Sequence, residues 1–233
     1  MAFSLVGALF LAGCGPEPTR EPAAAPSGHE HVVAGPLQGR TGAYLIVGDA
    51  ASRIQVILAA LPGLLYRIST PAGSGLVPLV SGADGRIRAA LRPTGADGPD
   101  EVRILLNRDV RWDIRLAAGA GEQQLDLVRG RISRVVLGPS GLVELRLPAP
   151  AGTIPVTLDS GVGTVALSAP APVRIRLAEG AGAVTTPWLV QAAAAAGTVL
   201  EPRDWRTARD RYAVLARSGV GSLTLRRSLS ALR

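Results

Sequence analysis

The chain has 233 residues, 47% hydrophobic but only 3% aromatic, so its core must be filled by Val, Leu, Ile and Ala. The formal net charge is +7 with no lysine, so all 25 basic residues are arginine, which excludes lysine Schiff bases and a lysine general base. A single cysteine excludes an internal disulfide framework and Cys/His zinc patterns.

Met1 to Gly13 is an uncharged apolar run. It is too short to span a bilayer as a helix, which takes about 20 residues, but it fits the apolar region of a secretory signal. It ends in Leu11-Ala12-Gly13-Cys14, which resembles the bacterial lipobox. The resemblance implies cleavage before Cys14, a diacylglyceryl group on its sulfur, and attachment to the membrane. No Arg precedes the apolar run, which predicts a translation start upstream of Met1.

Residues 14–38 contain Pro16, Pro18, Pro22, Pro26 and Pro36 and read as a semi-extended tether. Within it, His29-Glu30-His31 offers two imidazoles and a carboxylate with no fixed scaffold, and is read as adventitious rather than as a metal site. A β-repeat domain is expected over 39–228, followed by a C-terminal tail at 229–233.

From about Gly42 a glycine corner followed by a short alternating strand recurs. Gly82-Ala83-Asp84-Gly85 precedes Arg86-Ile87-Arg88, and Gly119-Ala120-Gly121 precedes the strand at Gln124 to Leu127. Gly138 to Gly141 precedes Val143 to Leu147, and Gly161-Val162-Gly163 precedes Val165 to Leu167. Gly180-Ala181-Gly182 and Gly219-Val220-Gly221 lead into Val184 and into Leu223 to Leu225. The first glycines step by 37, 19, 23, 19 and 39 residues, which fits a unit of roughly 20 residues with some corners eroded. Glycine suits such corners because it allows positive φ.

A second strand type recurs at Val110 to Leu116, Thr153 to Leu158 and Val173 to Leu177. Alternation there sends Val173, Ile175 and Leu177 to one face and Arg174 and Arg176 to the other. The composition and these patterns predict an all-β fold, a short β-solenoid-like stack of glycine-cornered strands. Leu189 to Ala196 reads as a short helix or loose insert, and Pro202 to Tyr212 as a short helix or surface loop.

The pattern L-x-x-G-A-G-x-x-x-L-D-L, then R-L-P-A-P-x-G-T-x-P-V, resembles the repeat of bacterial adhesin-type envelope domains over about residues 100–227. The resemblance implies a short β-solenoid at the cell envelope and supplies no catalytic residues. Residues 42–99 depart from the clean pattern.

Both histidines lie in the tether, which argues against Ser-His-Asp catalysis in the folded part. Carboxylates at Asp84, Asp97, Asp100 and Glu101 leave acid-base work formally open, although turn chemistry explains the Asp97 to Glu101 cluster better. Arg88, Arg103, Arg115, Arg146, Arg174 and Arg176 are expected to face outward and to stack into a row, partly neutralised by Asp113, Asp126 and Glu144. Trp112 is expected inside the core and Trp205 on the surface, so Arg146, Arg174, Arg176 and Trp205 form the candidate binding set.

These readings predict a lipid-anchored protein on the extracytoplasmic face of the membrane, acting as a non-catalytic interaction or structural module. An envelope hydrolase using a carboxylate pair near Asp97 to Glu101 is the alternative. The implied partners are the membrane, through Cys14, and anionic envelope polymers or another envelope protein. No cofactor is implied, and without a basic run interleaved with aromatics no nucleic acid is expected.

Overall fold

The computed structural model describes residues 29–228. The expected signal peptide, Cys14, the first part of the expected tether and the 229–233 tail lie outside the described residues.

Every regular element among the described residues is a strand, as the composition and alternation predict. In chain order they begin with β1 (His31–Pro36), β2 (Gly42–Val47), β3 (Ala51–Ala59), β4 (Leu64–Thr70), β5 (Leu76–Ser81) and β6 (Arg86–Pro93). The middle of the chain forms β7 (Glu101–Asn107), β8 (Arg111–Leu116), β9 (Ala120–Asp126), β10 (Arg131–Leu137), β11 (Ser140–Arg146), β12 (Thr153–Leu158) and β13 (Val162–Ala169). Then come β14 (Val173–Leu177), β15 (Ala181–Thr186), β16 (Leu189–Gln191), β17 (Val199–Leu200), β18 (Arg211–Ala216) and β19 (Val220–Arg227).

They form two sheets. Sheet I has the order β1-β4-β7-β3-β9-β11-β13-β19-β15-β16, and sheet II the order β17-β14-β18-β12-β10-β8-β2-β6-β5. The inward side chains of both sheets belong to one core, in which Leu45, Val47 and Ile114 of sheet II join Ile54, Leu125 and Leu145 of sheet I. Burying each such side chain contributes about 1.5–3 kcal/mol.

The strands that follow glycine corners, β9, β11, β13, β19 and β15, lie side by side and parallel in sheet I. The strands preceding them, β8, β10, β12, β18 and β14, lie parallel in sheet II. A simple solenoid would stack these two-strand units in chain order. Here the order is chain-like only from β8 to β13: β18/β19 inserts between β12/β13 and β14/β15, and β2/β3 lies between β6/β7 and β8/β9. The outermost strands run antiparallel to their neighbours. They are blunted by Pro36 and Pro78, or are only 3 and 2 residues long in β16 and β17, devices that discourage edge-to-edge association.

Gly82, Gly85 and Gly180 have the positive φ expected of corner glycines, but others serve a different purpose. Gly121, Gly141, Gly163, Gly221 and Gly182 have no positive φ and form a line across sheet I. A Cβ on Gly163 would lie 2.5 Å from the Gly141 carbonyl oxygen, and one on Gly221 would lie 2.4 Å from that of Gly163. The glycines are there because neighbouring backbones meet at the corner.

Several sequence expectations need correction. The tether stops short of residue 38, because His31–Pro36 pairs with β4 as an edge strand and thus gives His31 a scaffold. Pro36 is compatible with this since it sits at the end of an edge strand. Leu189 to Ala196 is not helical: Leu189–Gln191 pairs with β15, and Ala194 exchanges hydrogen bonds with Ala181. Within Pro202 to Tyr212, the residues up to Asp210 make turns, as the loop reading anticipated, and Arg211 and Tyr212 already belong to β18.

Candidate functional site

The outward positions of the two sheets differ in charge. On sheet I acids and bases alternate. Arg53 of β3 donates to Glu122 of β9 at 2.7 Å and to Glu101 of β7 at 2.9 Å, and Arg146 of β11 pairs with Asp126 of β9 at 2.8 Å. The hydrogen bond from Arg53 holds the Glu122 carboxyl below its ordinary range, and the same bond raises Arg53. Farther along, outward positions become small or hydroxylic: Thr164, Ala166, Ser222 and Thr224.

On sheet II the outward positions are dominated by arginine. They include Arg86, Arg88 and Arg92 on β6, Arg111 and Arg115 on β8, and Arg131 and Arg134 on β10. The one acid at an outward position of these strands, Asp113, is buried and held by Arg134, whose Nε and Nη2 donate to its Oδ2 at 2.9 and 2.7 Å. Arg134 also donates to the Tyr44 hydroxyl at 3.1 Å, and the Asp113 contact raises its own proton affinity. A β-bulge between Ile132 and Arg134 brings Arg134 opposite Asp113. Pro155 of the interior strand β12 lies beside that bulge, where β10–β12 pairing begins only at Val135, so its missing N–H does not interrupt the ladder.

The six arginines expected to form one row divide between the faces. Arg88, Arg115, Arg174 and Arg176 are on sheet II, whereas Arg103 and Arg146 are on sheet I. Of the candidate binding set, Arg174 and Arg176 therefore share a face, and Arg146 is on the other in an ion pair. Trp205, expected at the surface, is only 6% exposed. Its ring has the Arg174 guanidinium carbon 4.0 Å and that of Arg211 4.1 Å from its centre, and its Nε1 donates to the Tyr212 carbonyl at 2.9 Å. Trp112 is fully buried, as alternation indicated, with Nε1 donating to the Asn107 carbonyl at 2.9 Å. Tyr212 is buried as well, and desolvation raises its hydroxyl pKa.

The acidic cluster at 97–101 divides too. Asp97 is exposed in the turn before β7, the Asp100 carbonyl accepts from the Ser52 amide at 2.9 Å, and Glu101 shares Arg53 with Glu122. No local pattern marked Arg134, Arg131 or Arg111 as site residues. β10 lacks clean alternation, and the Arg111 and Arg131 strands are neighbours only through tertiary pairing.

Two grooves on sheet II share Tyr44, Asp84 and Arg86. One, of about 590 Å³, is lined by Arg86, Arg111, Arg131 and Asp113, and the other, of about 820 Å³, by Ile46, Arg86 and Arg88. Asp84 sits at the rim, 3.9 Å from Arg40.

The chain matches no protein-family model and no curated protein. It is similar in structure to a protein from Clostridium sporogenes described as a putative cell adhesion protein. The TM-score is 0.68 at 16% identity, over 87% of this chain and 100% of that one. The likeness is one of fold. A second structure, described as a putative adhesin from Bacteroides fragilis, covers 86% of this chain and 99% of its own at 8% identity, with a TM-score of 0.29, too low to establish a shared fold.

Proposed function

We propose that this chain is a lipid-anchored module on the extracytoplasmic face of the membrane, which binds other envelope components and catalyses no reaction. The observation that carries the reading is the contrast between the faces: β6, β8 and β10 of sheet II carry seven outward arginines against one acid, Asp113, whereas on sheet I Arg53 and Arg146 are paired with Glu101, Glu122 and Asp126. A broad face of one sign suits attachment to a partner of the other sign. The description of the Clostridium sporogenes protein as a putative cell adhesion protein agrees with an interaction role. The lipobox-like Leu11-Ala12-Gly13-Cys14 supplies the anchor. The seventeen residues from Cys14 to Glu30 reach about 56–61 Å at full extension, enough to hold the sheets clear of the headgroups.

The test is fatty-acid labelling and membrane fractionation of the full chain and of its Cys14→Ser variant. The wild type is expected labelled and in the membrane fraction, and the variant unlabelled and released. Unchanged membrane retention of the variant would refute lipid anchoring.

A further inference from the structure

β2 lies between β6 and β8 in sheet II, and its outward residues are Gly42, Tyr44 and Ile46. The outward residues beside them are arginines, except for Asp113, which stands beside Tyr44 on β8 and is neutralised by Arg134. Arg86 and Arg88 pair with Tyr44 and Ile46 from β6, and Arg111 and Arg115 pair with Gly42 and Ile46 from β8. Short or apolar residues thus make a floor with long guanidinium side chains on either side, and the two grooves lie along it, sharing Tyr44, Arg86 and, at the rim, Asp84. Strand spacing sets the walls about 9–10 Å apart, and Arg86 and Arg88, two residues apart on one strand, lie about 6.6 Å apart along it.

Among the described residues, none of Arg86, Arg88, Arg111 and Arg115 takes part in an ion pair. Arg111 also stands directly opposite Arg131 across the β8–β10 ladder. Like charges placed this way repel and destabilise a sheet. The Arg131 guanidinium donates to the Asp109 carbonyl, which orients it but leaves its charge without a counter-ion. Arg53, Arg134 and Arg146 each have a carboxylate within 3 Å, and what sets the trough apart is that its unpaired arginines stand on both strands that flank β2.

We infer that the trough along β2 binds a linear anionic polymer that bears repeated phosphate or carboxylate groups. A guanidinium presents a planar fork that matches both oxyanions bidentately. Two walls of such forks accept a chain whose charges alternate sides or recur at the arginine spacing. The floor favours a polymer without bases, because Tyr44 is its one aromatic and is already hydrogen-bonded to Arg134, whereas single-stranded nucleic acid is held on a series of stacking rings. The trough is also concave, which suits a chain better than a flat bilayer surface. The inference rests on the envelope-module reading only for where the polymer is met. Binding is a property of the chain in solution, so anchoring and binding can fail separately.

The experiment uses the full chain carrying Cys14→Ser, with long-chain polyphosphate as the probe and single-stranded DNA and anionic phospholipid vesicles as competitors. Arg86→Glu with Arg111→Glu is compared with Arg103→Glu and Arg226→Glu, which make the same change in net charge on sheet I. The melting temperature of each double variant verifies that it is folded. The trough variant should lose at least about tenfold in affinity, with a salt slope shallower by about two, while the sheet I variant changes little. Equal losses from both variants would overturn the site, since binding would then follow net charge alone. Tighter binding to DNA or vesicles than to polyphosphate would overturn the ligand class, and the absence of polyphosphate binding would overturn the inference outright.

Discussion

The guanidinium carbon of Arg174 lies 4.0 Å from the centre of the Trp205 ring, which pins the turns after β17 beside β14 and β18. Arg211 reinforces the contact: its Nη1 donates to the Trp205 carbonyl at 2.8 Å while its guanidinium approaches the same ring. An arginine assigned to a binding row is therefore partly a structural clamp. Trp205→Ala should lower stability by about 3 kcal/mol, as for other buried tryptophans, and Arg174→Ala by about 1 kcal/mol, the scale of a cation–π contact. Thermal denaturation measures both. A Trp205→Ala protein that melts like wild type would place the ring in solvent.

Alternation on β11 is tested by two adjacent residues. Leu145 is 2% exposed and stands in register between Leu125 and Leu167, whereas Arg146 is exposed and pairs with Asp126. Leu145→Ala should cost about 2–5 kcal/mol, and Arg146→Ala no more than about 1 kcal/mol. Chemical denaturation that gave equal losses would contradict the assignment of faces.

The Gly219-Val220-Gly221 corner separates two reasons for having glycine. A Cβ on Gly221 would strike the Gly163 carbonyl, but one on Gly219 meets nothing within 4 Å. Gly221→Ala should destabilise by about 1–3 kcal/mol, as overpacking does. Gly219→Ala, whose φ is not positive, should leave stability unchanged or raise it by up to about 1 kcal/mol. Melting curves that rank the two variants the other way would rule out the glycine line in sheet I.

Glu122 gives sheet I an acid-sensitive contact. Arg53 lowers its folded pKa below the ordinary value of 4.5, so its contribution is present above that pH and is lost as pH falls through the lowered value. Glu122→Gln should therefore cost up to about 1 kcal/mol at neutral pH, and the difference should vanish in strong acid. Paired urea titrations at the two pH values measure this. A gap that widened as pH fell would mean that the carboxylate is not stabilised by Arg53.

The reading of individual strands was local and therefore legible. Period-two alternation assigned Val173, Ile175 and Leu177 to the core and Arg174 and Arg176 to the outside, and all five residues obey it. Trp112 was legible for the same reason. Trp205 was not, because it sits in a turn without periodicity and is buried by residues from two other strands.

The sequence by itself determined that the chain is all-β, where its glycine corners fall and which side chains of each alternating strand point inward, since these depend on neighbours within one strand. Only the tertiary structure decided which strands lie side by side. β19 enters between β13 and β15 through parallel pairings from Val162↔Val220 to Ala169↔Arg227, contacts between residues 58 positions apart that no local pattern encodes. The same long-range pairing separated Arg103 and Arg146 from Arg88 and Arg115, and it set β2 between two arginine-bearing strands. Outward direction is a property of one strand, but a shared face is a property of the sheet, and the trough exists only once β6, β2 and β8 are neighbours.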